Sequence, residues 1–225
     1  MSEYFKNFIT VEGKKLKEMT LKEKAVYICE YYKIHIIATI FVVFIAGSII
    51  DSVWIHPPKK LFLQTAFSVG YVADESMNAL NEALTEILMT VEERETLQVT
   101  SSYFMYDSGN PQMDMANQQK FTAMIASNEL DLFVIDQDDL ETSAAQGLLL
   151  PLPDILPDSL LSSLSDKLME AADENGTRAY FAVKLDGCKL FADNSLPADG
   201  RCLAVIVNSI RLDNALKAIE YIFGS

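Results

Sequence analysis

"AMIASNELDLFVIDQDDLETSAAQGLLLPL", residues 123–152, is the stretch that decides the fold. Its first residues read as the end of a helix. Leu130–Ile135 then reads as a short apolar strand of the kind buried on both faces of a parallel sheet. Asp136 follows as the expected N-cap of a second helix. Asp138 and Asp139 fall in that helix's first turn, where carboxylates suit the positive end of the helix dipole. A proline-stopped loop closes the unit at Pro151.

The same alternation extends in both directions. "LFLQTAFSVGYV" (61–72) is apolar with a strand-like core. "DESMNALNEALTEILMTV" (74–91) predicts a helix with Leu80, Leu84, Ile87, Leu88 and Val91 on one face and Asp74 as its N-cap. "ETLQVTSSYFMY" (95–106) alternates as a strand, and a polar loop leads to a helix over roughly 115–127. Beyond Pro151, "DSLLSSLSDKLMEAADENG" (158–176) predicts an amphipathic helix ending at Asn175-Gly176. "RAYFAVKLDGCKLFA" (178–192) reads as a hairpin turning at Asp186-Gly187. "RCLAVIVNS" (201–209) is a further buried strand and "LDNALKAIEYIF" (212–223) the last helix. Strand, helix, strand, helix, strand, helix predicts an α/β fold: a single doubly wound, mostly parallel sheet with helices on both faces.

Charge divides the chain. Residues 1–33 carry seven Lys against five Glu, a net of +2, whereas residues 56–225 carry eleven bases against twenty-six acids, a net of −15. A body so acidic, with no clustered Lys or Arg, excludes nucleic acid as a partner. Between these parts runs "IHIIATIFVVFIAGSIIDSVWI" (34–55), 22 residues, thirteen of them Ile, Val or Phe. As a helix it spans roughly 33 Å at about 1.5 Å per residue, matching a hydrocarbon core of about 30 Å. Its one acid, Asp51, lies in the last turns, where a charge costs least. Tyr27, Tyr31 and Tyr32 flank one end and Trp54 the other, as interfacial aromatics do, and Pro57 and Pro58 stop the helix.

Residues 14–33 hold six Lys, whereas residues 56–75 hold only Lys59 and Lys60. The positive-inside rule therefore puts the N-terminus in the cytoplasm and the body outside. A cleaved signal peptide is disfavoured, because its basic region would run some 33 residues. The expected organisation is a short cytoplasmic helical segment (1–33), a transmembrane helix (34–55) and an extracytoplasmic α/β domain (56–225). Thr20 and Glu23 stand in capping-box spacing at the start of the cytoplasmic helix.

"KFTAMIASNELDLFVIDQDDLETSAAQGLLLPLPDIL" (120–156) resembles the extracellular solute-binding proteins of bacterial ABC importers, the type 2 periplasmic-binding fold. Asp131, Phe133, Asp136, Gly147, Leu148 and Leu152 occupy the positions that carry the likeness. "AVIVNSIRLDNALKAIEYIF" (204–223) is similar to the segment that returns to the same lobe. The resemblance implies a solute held between two lobes. Here the only place for a crossing is the hairpin at 178–192, and some twenty residues cannot build a second lobe when a domain needs roughly 50. A single membrane-anchored lobe is the expectation.

Motifs of catalysis are missing from the sequence. There is no GxGxxG or Walker motif, and the two histidines, His35 and His56, border the membrane segment. "DQDDLE" (136–141) lacks the glycine and distal Glu of a calcium loop. The three cysteines form no zinc pattern; Cys188 and Cys202 read either as one disulfide or as two buried thiols. The expectation is a protein without catalytic residues, metal or cofactor. If a small-molecule solute binds, it sits beyond the carboxyl ends of the parallel strands, which nominates Tyr71, Tyr106, Asp107 and Asp136. Two functions remain open: a non-catalytic module meeting a protein partner or sensing at the cell surface, and a receptor binding a solute with one lobe or as a dimer.

Overall fold

The computed structural model describes residues 20–23, 26, 30, 33–55, 57–68, 70–106 and 108–224. The chain forms two compact units, Met1–Pro58 and Lys59–Ser225. Cys29, Tyr27, Tyr31, Tyr32, His56 and Asp107 lie outside the described residues.

In the first unit the capping box forms. Glu23 Oε2 accepts from the Thr20 amide at 2.9 Å and from its hydroxyl at 2.8 Å, while the Glu23 amide donates back to Thr20 Oγ1 at 3.4 Å. Two otherwise unpaired N–H groups of a helix start are thereby satisfied. Helix α1 (Lys33–Ile50) continues through a π-helical turn at Asp51–Ile55. The segment Lys33–Trp54 is the one described helix long and apolar enough to cross a membrane. Within it the Thr39 hydroxyl donates to the His35 carbonyl at 2.8 Å, so this polar side chain is satisfied inside its own helix.

The second unit is built on one six-stranded sheet: β1 (Lys60–Ser68), β2 (Leu97–Tyr103), β3 (Leu132–Asp136), β4 (Leu168–Ala172), β5 (Arg178–Lys184) and β6 (Arg201–Val205), in the order β2-β1-β3-β6-β5-β4. The longer helices are α2 (Asp74–Leu88), α4 (Pro111–Ala126) and α8 (Leu212–Gly224); the shorter are α3 (Glu93–Thr96), α5 (Leu140–Ala145), α6 (Asp158–Ser163) and α7 (Lys189–Asp193). Strand alternation assigns the faces. Leu63, Phe67, Leu132, Val134, Leu203 and Val205 join the core that includes α2 and α8 residues. Ala66, Phe133, Ile135, Cys202 and Ala204 join a second core with Phe121 of α4 and Leu140 of α5. Helices thus cover both faces, as the continuous apolar strands require.

Four expectations need correction. The sheet is mixed rather than mostly parallel: β1 runs parallel to β2 and β3, whereas β3–β6, β6–β5 and β5–β4 are antiparallel. After β5 the chain turns back at Asp186-Gly187, where Gly187 takes a positive φ of 68°, and β6 re-enters beside β5 from the end at which β5 stopped. Second, the helix expected over 158–176 stops at Ser163 and the chain re-enters the sheet as β4. Sheet pairing overrides the helix propensity of its Leu, Met, Glu and Ala.

Third, the hairpin lies at β4–β5 rather than 178–192. Its turn is closed by Asp173, whose Oδ1 accepts from the amides of Asn175 (2.8 Å) and Thr177 (2.7 Å). Gly176 supplies the positive φ of 79°. Fourth, neither expected aspartate cap is made. Ala73 holds the cap position of α2, leaving Asp74 in the first turn, and Asp136 makes no cap hydrogen bond. Its carboxylate pairs instead with Arg201, its register partner on β6.

Candidate functional site: a groove between α4 and α5

Helix α4 starts firmly. Asn110 Oδ1 accepts from the amides of Gln112 (3.1 Å) and Met113 (3.4 Å), and Pro111 takes the first helical position, where no N–H is needed. One face of α4 drops Phe121 onto the sheet, where its ring lies 5.1 Å from Phe104 and 5.0 Å from Phe133. Helix α5 follows β3 after one 3-10 turn, Gln137–Asp139, and buries Leu140, Ser143 and Ala144. The two helices leave a groove of about 610 Å³ between them.

The groove opens where the parallel strands end: Ser68 closes β1, Tyr106 follows β2 and Ile135 lies at the end of β3. Carboxyl ends of neighbouring parallel strands are where α/β sheets place ligands. Its apolar floor is Phe121, Phe133, Ile135 and Leu148. Its polar wall offers Gln118 from α4 and Thr142, Ser143 and Gln146 from α5 and its end. Ser143, a largely buried residue, lines this wall with its hydroxyl group.

Charge in the groove has one sign. Asp114 and Asp139 line it, and no Lys, Arg or His does so among the described residues. Asp114 also accepts from the Ser108 amide at 3.0 Å. Tyr106 is 38% exposed, and burial pushes its phenol up to about 12, so it stays a neutral donor and acceptor across the physiological range. An anion would meet two carboxylates and no cation here. The lining suits a neutral polyol or a cation.

Of the nominated residues that are described, Tyr106 stands in this groove; Asp107 lies outside the described residues. Tyr71, 72% exposed, packs edge-to-face on Tyr103 at 6.0 Å. Asp136 is held by Arg201. Beside that pair, Gln137 Nε2 donates to Asp186 Oδ2 at 2.7 Å, and the Gly200 amide donates to Asp186 Oδ1 at 2.8 Å. These contacts hold the end of β3, the chain after β5 and the entry to β6 together. Ser143 and Gln118 escape a sequence reading because they come from helices whose apposition is tertiary. The one local signal was the small-residue run "TSAAQG" directly after a buried strand.

Two further features bear on chemistry. Cys188 and Cys202 are both free and buried. Among the described residues, no group of three or more His, Cys, Asp or Glu side chains is placed to hold a metal ion.

No protein-family model matches the chain, and no curated protein matches it. Among solved structures, the resemblance read from residues 120–156 and 204–223 is met again. An extracellular solute-binding protein family 1 member from Alicyclobacillus acidocaldarius aligns at 13% identity and a TM-score of 0.33, over 57% of this chain and 28% of its own. The bacterial solute receptor AcbH, described as exclusive for β-D-galactopyranose, aligns at 18% identity and a TM-score of 0.30, over 55% and 28%. The N-glycan transport protein NgtS of Streptococcus pneumoniae, in complex with Man5GlcNAc, aligns at 15% and 0.28, over 56% and 25%. The chain therefore corresponds to about a quarter of each of these proteins. The sugars named belong to them.

Proposed function

We propose that this chain is a single-pass, membrane-anchored extracytoplasmic module without catalytic activity that senses a small solute bound in the α4–α5 groove. One observation carries the reading. A groove with an aromatic floor at the carboxyl ends of β1, β2 and β3 sets the Ser143 hydroxyl beside Gln118, Thr142 and Gln146, a row of polar groups facing an apolar surface. The apolar segment Lys33–Trp54 supplies the anchor, and the Lys-rich residues before it set the body outside the cell. The single-signed lining makes the solute uncharged or cationic.

Thermal melts of the purified chain in detergent, against neutral sugars, organic amines and carboxylates, test this. A ligand at about one hundred times its Kd stabilises by roughly 2.7 kcal/mol, which moves Tm by several degrees. A saturable shift from a sugar or an amine, with none from carboxylates, is expected. Absence of any shift, in a sample that melts cooperatively, overturns the reading. The second reading, a module that meets protein, rests on a different feature: the open edge of the sheet at β2.

A further inference from the structure

The two edges of the sheet are not alike. At one edge β4 carries Glu170 in its middle, held 3.2 Å from Arg178. A charge is an ordinary means by which proteins prevent an edge strand from pairing with another chain. At the other edge β2, "LQVTSSY" (97–103), has no charge and no proline. Each edge pairing shifts register once, here between Leu61 and Leu63 on β1, and β2 is regular from Leu63–Val99 to Phe67–Tyr103. The charge that guards β4 is missing here.

The backbone of β2 is also set to accept a neighbour. The Phe104 amide donates inward to the Phe67 carbonyl at 2.7 Å, so even-numbered amides face β1. By strand alternation the amides and carbonyls of Val99, Ser101 and Tyr103 face off the edge. Helices do not fill the space beside them. One hollow of about 500 Å³ runs along Asn78, Asn81, Val99 and Thr100, and another of about 310 Å³ runs along Ser101, Ser102 and Tyr103.

We infer that the β2 edge is an interface for a second copy of this chain, pairing antiparallel about a two-fold axis at Thr100. This inference does not depend on the groove binding a solute. In that register Leu97 faces Tyr103, Gln98 faces Ser102, Val99 faces Ser101 and Thr100 faces itself. Val99 and Ser101 exchange their outward backbone hydrogen bonds, and Thr100 meets Thr100 as a pair without them. Leu97 meets an aromatic ring, Gln98 a hydroxyl, Val99 a small hydroxyl side chain and Thr100 another threonine, and no charges oppose. That matters in a body of net charge −15, where most surfaces would repel a copy. Beside the seam the larger hollow carries Glu82 and Glu86 of α2 together with Arg94. The repulsion between two bodies of net charge −15 is screened by salt, so association strengthens as salt rises.

The test is disulfide trapping of the full chain in detergent micelles, with Cys29 replaced by Ser. Thr100→Cys is expected to give a covalent dimer on mild oxidation, because two-fold pairing sets position 100 against itself. Glu170→Cys, on the protected edge, should stay monomeric. In sedimentation, the unmodified chain should associate with concentration and more so at high salt. Thr100→Lys should remain monomeric and Thr100→Val should associate. The inference is overturned if Thr100→Cys traps no more dimer than Glu170→Cys while retaining a cooperative melt. It is equally overturned if Thr100→Lys associates as the unmodified chain does.

Discussion

Arg211 Nε lies 2.9 Å from Asp131 Oδ2, with Asp131 wholly buried and the Arg211 side chain 14% exposed. Asp131 stands just before β3 and Arg211 just before α8, so one ion pair joins two distant parts of the chain. The carboxylate is fully used: it also accepts from Ser209 Oγ at 2.6 Å and from the Gln64 amide at 2.9 Å. Arg211 donates further to the carbonyls of Asn128 (3.1 Å) and Glu129 (2.7 Å). Removing one partner of such a pair leaves a buried charge uncompensated, at about 3–5 kcal/mol. Asp131→Ala should lower unfolding free energy by that amount in a urea titration, whereas Asp131→Leu combined with Arg211→Met should cost much less than the sum of the single changes.

The two body cysteines should behave as inert thiols. Cys188 belongs to the core on the α2–α8 face and Cys202 to the core on the α4–α5 face, so the sheet itself separates them. A disulfide between them would require the sheet to open. Burial, with the nearby Asp136 charge, pushes the Cys202 thiol up to about 12 from 9.0. Thiol reagents at pH 8 should therefore leave both unlabelled in the folded protein and label both in urea. The sign of the pH effect follows. The folded state keeps the Cys202 proton where the unfolded state loses it, so this contribution is complete below about pH 9 and is lost as pH rises towards about 12.

What could be read in advance followed local physics. The apolar run in β3 marked a strand covered on both faces, and Leu132 and Val134 do face one core while Phe133 and Ile135 face the other. Helices α2 and α8 were legible from their apolar spacing. Strand direction was not, because it depends on how far each connection carries the chain; β1 and β3 are parallel neighbours, yet β6 enters from the opposite end. The residues of β4 favour a helix by themselves and become a strand only beside β5. In the groove, Tyr106 followed from the rule that ligands sit at strand ends. Ser143 and Gln118 did not, since only the packing of α4 against the sheet brings them together.

Asp186 stands in the turn expected at Asp186-Gly187, closed by the Cys188 amide on the Leu185 carbonyl at 2.8 Å, and its carboxylate also ties Gln137 to Gly200. Hydrogen bonds from the Gly200 amide, then from the Gln137 side chain, hold its carboxyl below the usual carboxylate value. A depressed folded-state value means that its contribution is present above the ordinary Asp range and is lost as pH falls through the lowered value. An NMR titration should find Asp186 protonating later on acidification than the other exposed aspartates. Asp186→Asn keeps the shape but weakens both bonds, and should speed hydrogen exchange of the Gly200 amide while leaving the midpoint of unfolding nearly unchanged.

Ser143 separates binding from stability. Its hydroxyl lines the groove and takes part in none of the hydrogen bonds that tie the elements together, so Ser143→Ala should leave Tm nearly unchanged. The same change should abolish or strongly weaken the ligand-induced thermal shift, because the lost group is one the solute bonds. Tyr106→Phe removes a second polar group from the wall and should weaken the shift in the same direction. The Tyr106 phenol is pushed up to about 12, so binding that uses it as a donor should be flat in pH from neutrality to well above 9. Phe133→Ala would confuse the two effects, since that ring belongs to the core and its loss costs about 3–5 kcal/mol whatever the groove does. The informative comparison is therefore Ser143→Ala against the unmodified chain, by melts with and without the solute. A shift that survives Ser143→Ala at full size would place the ligand elsewhere on the protein.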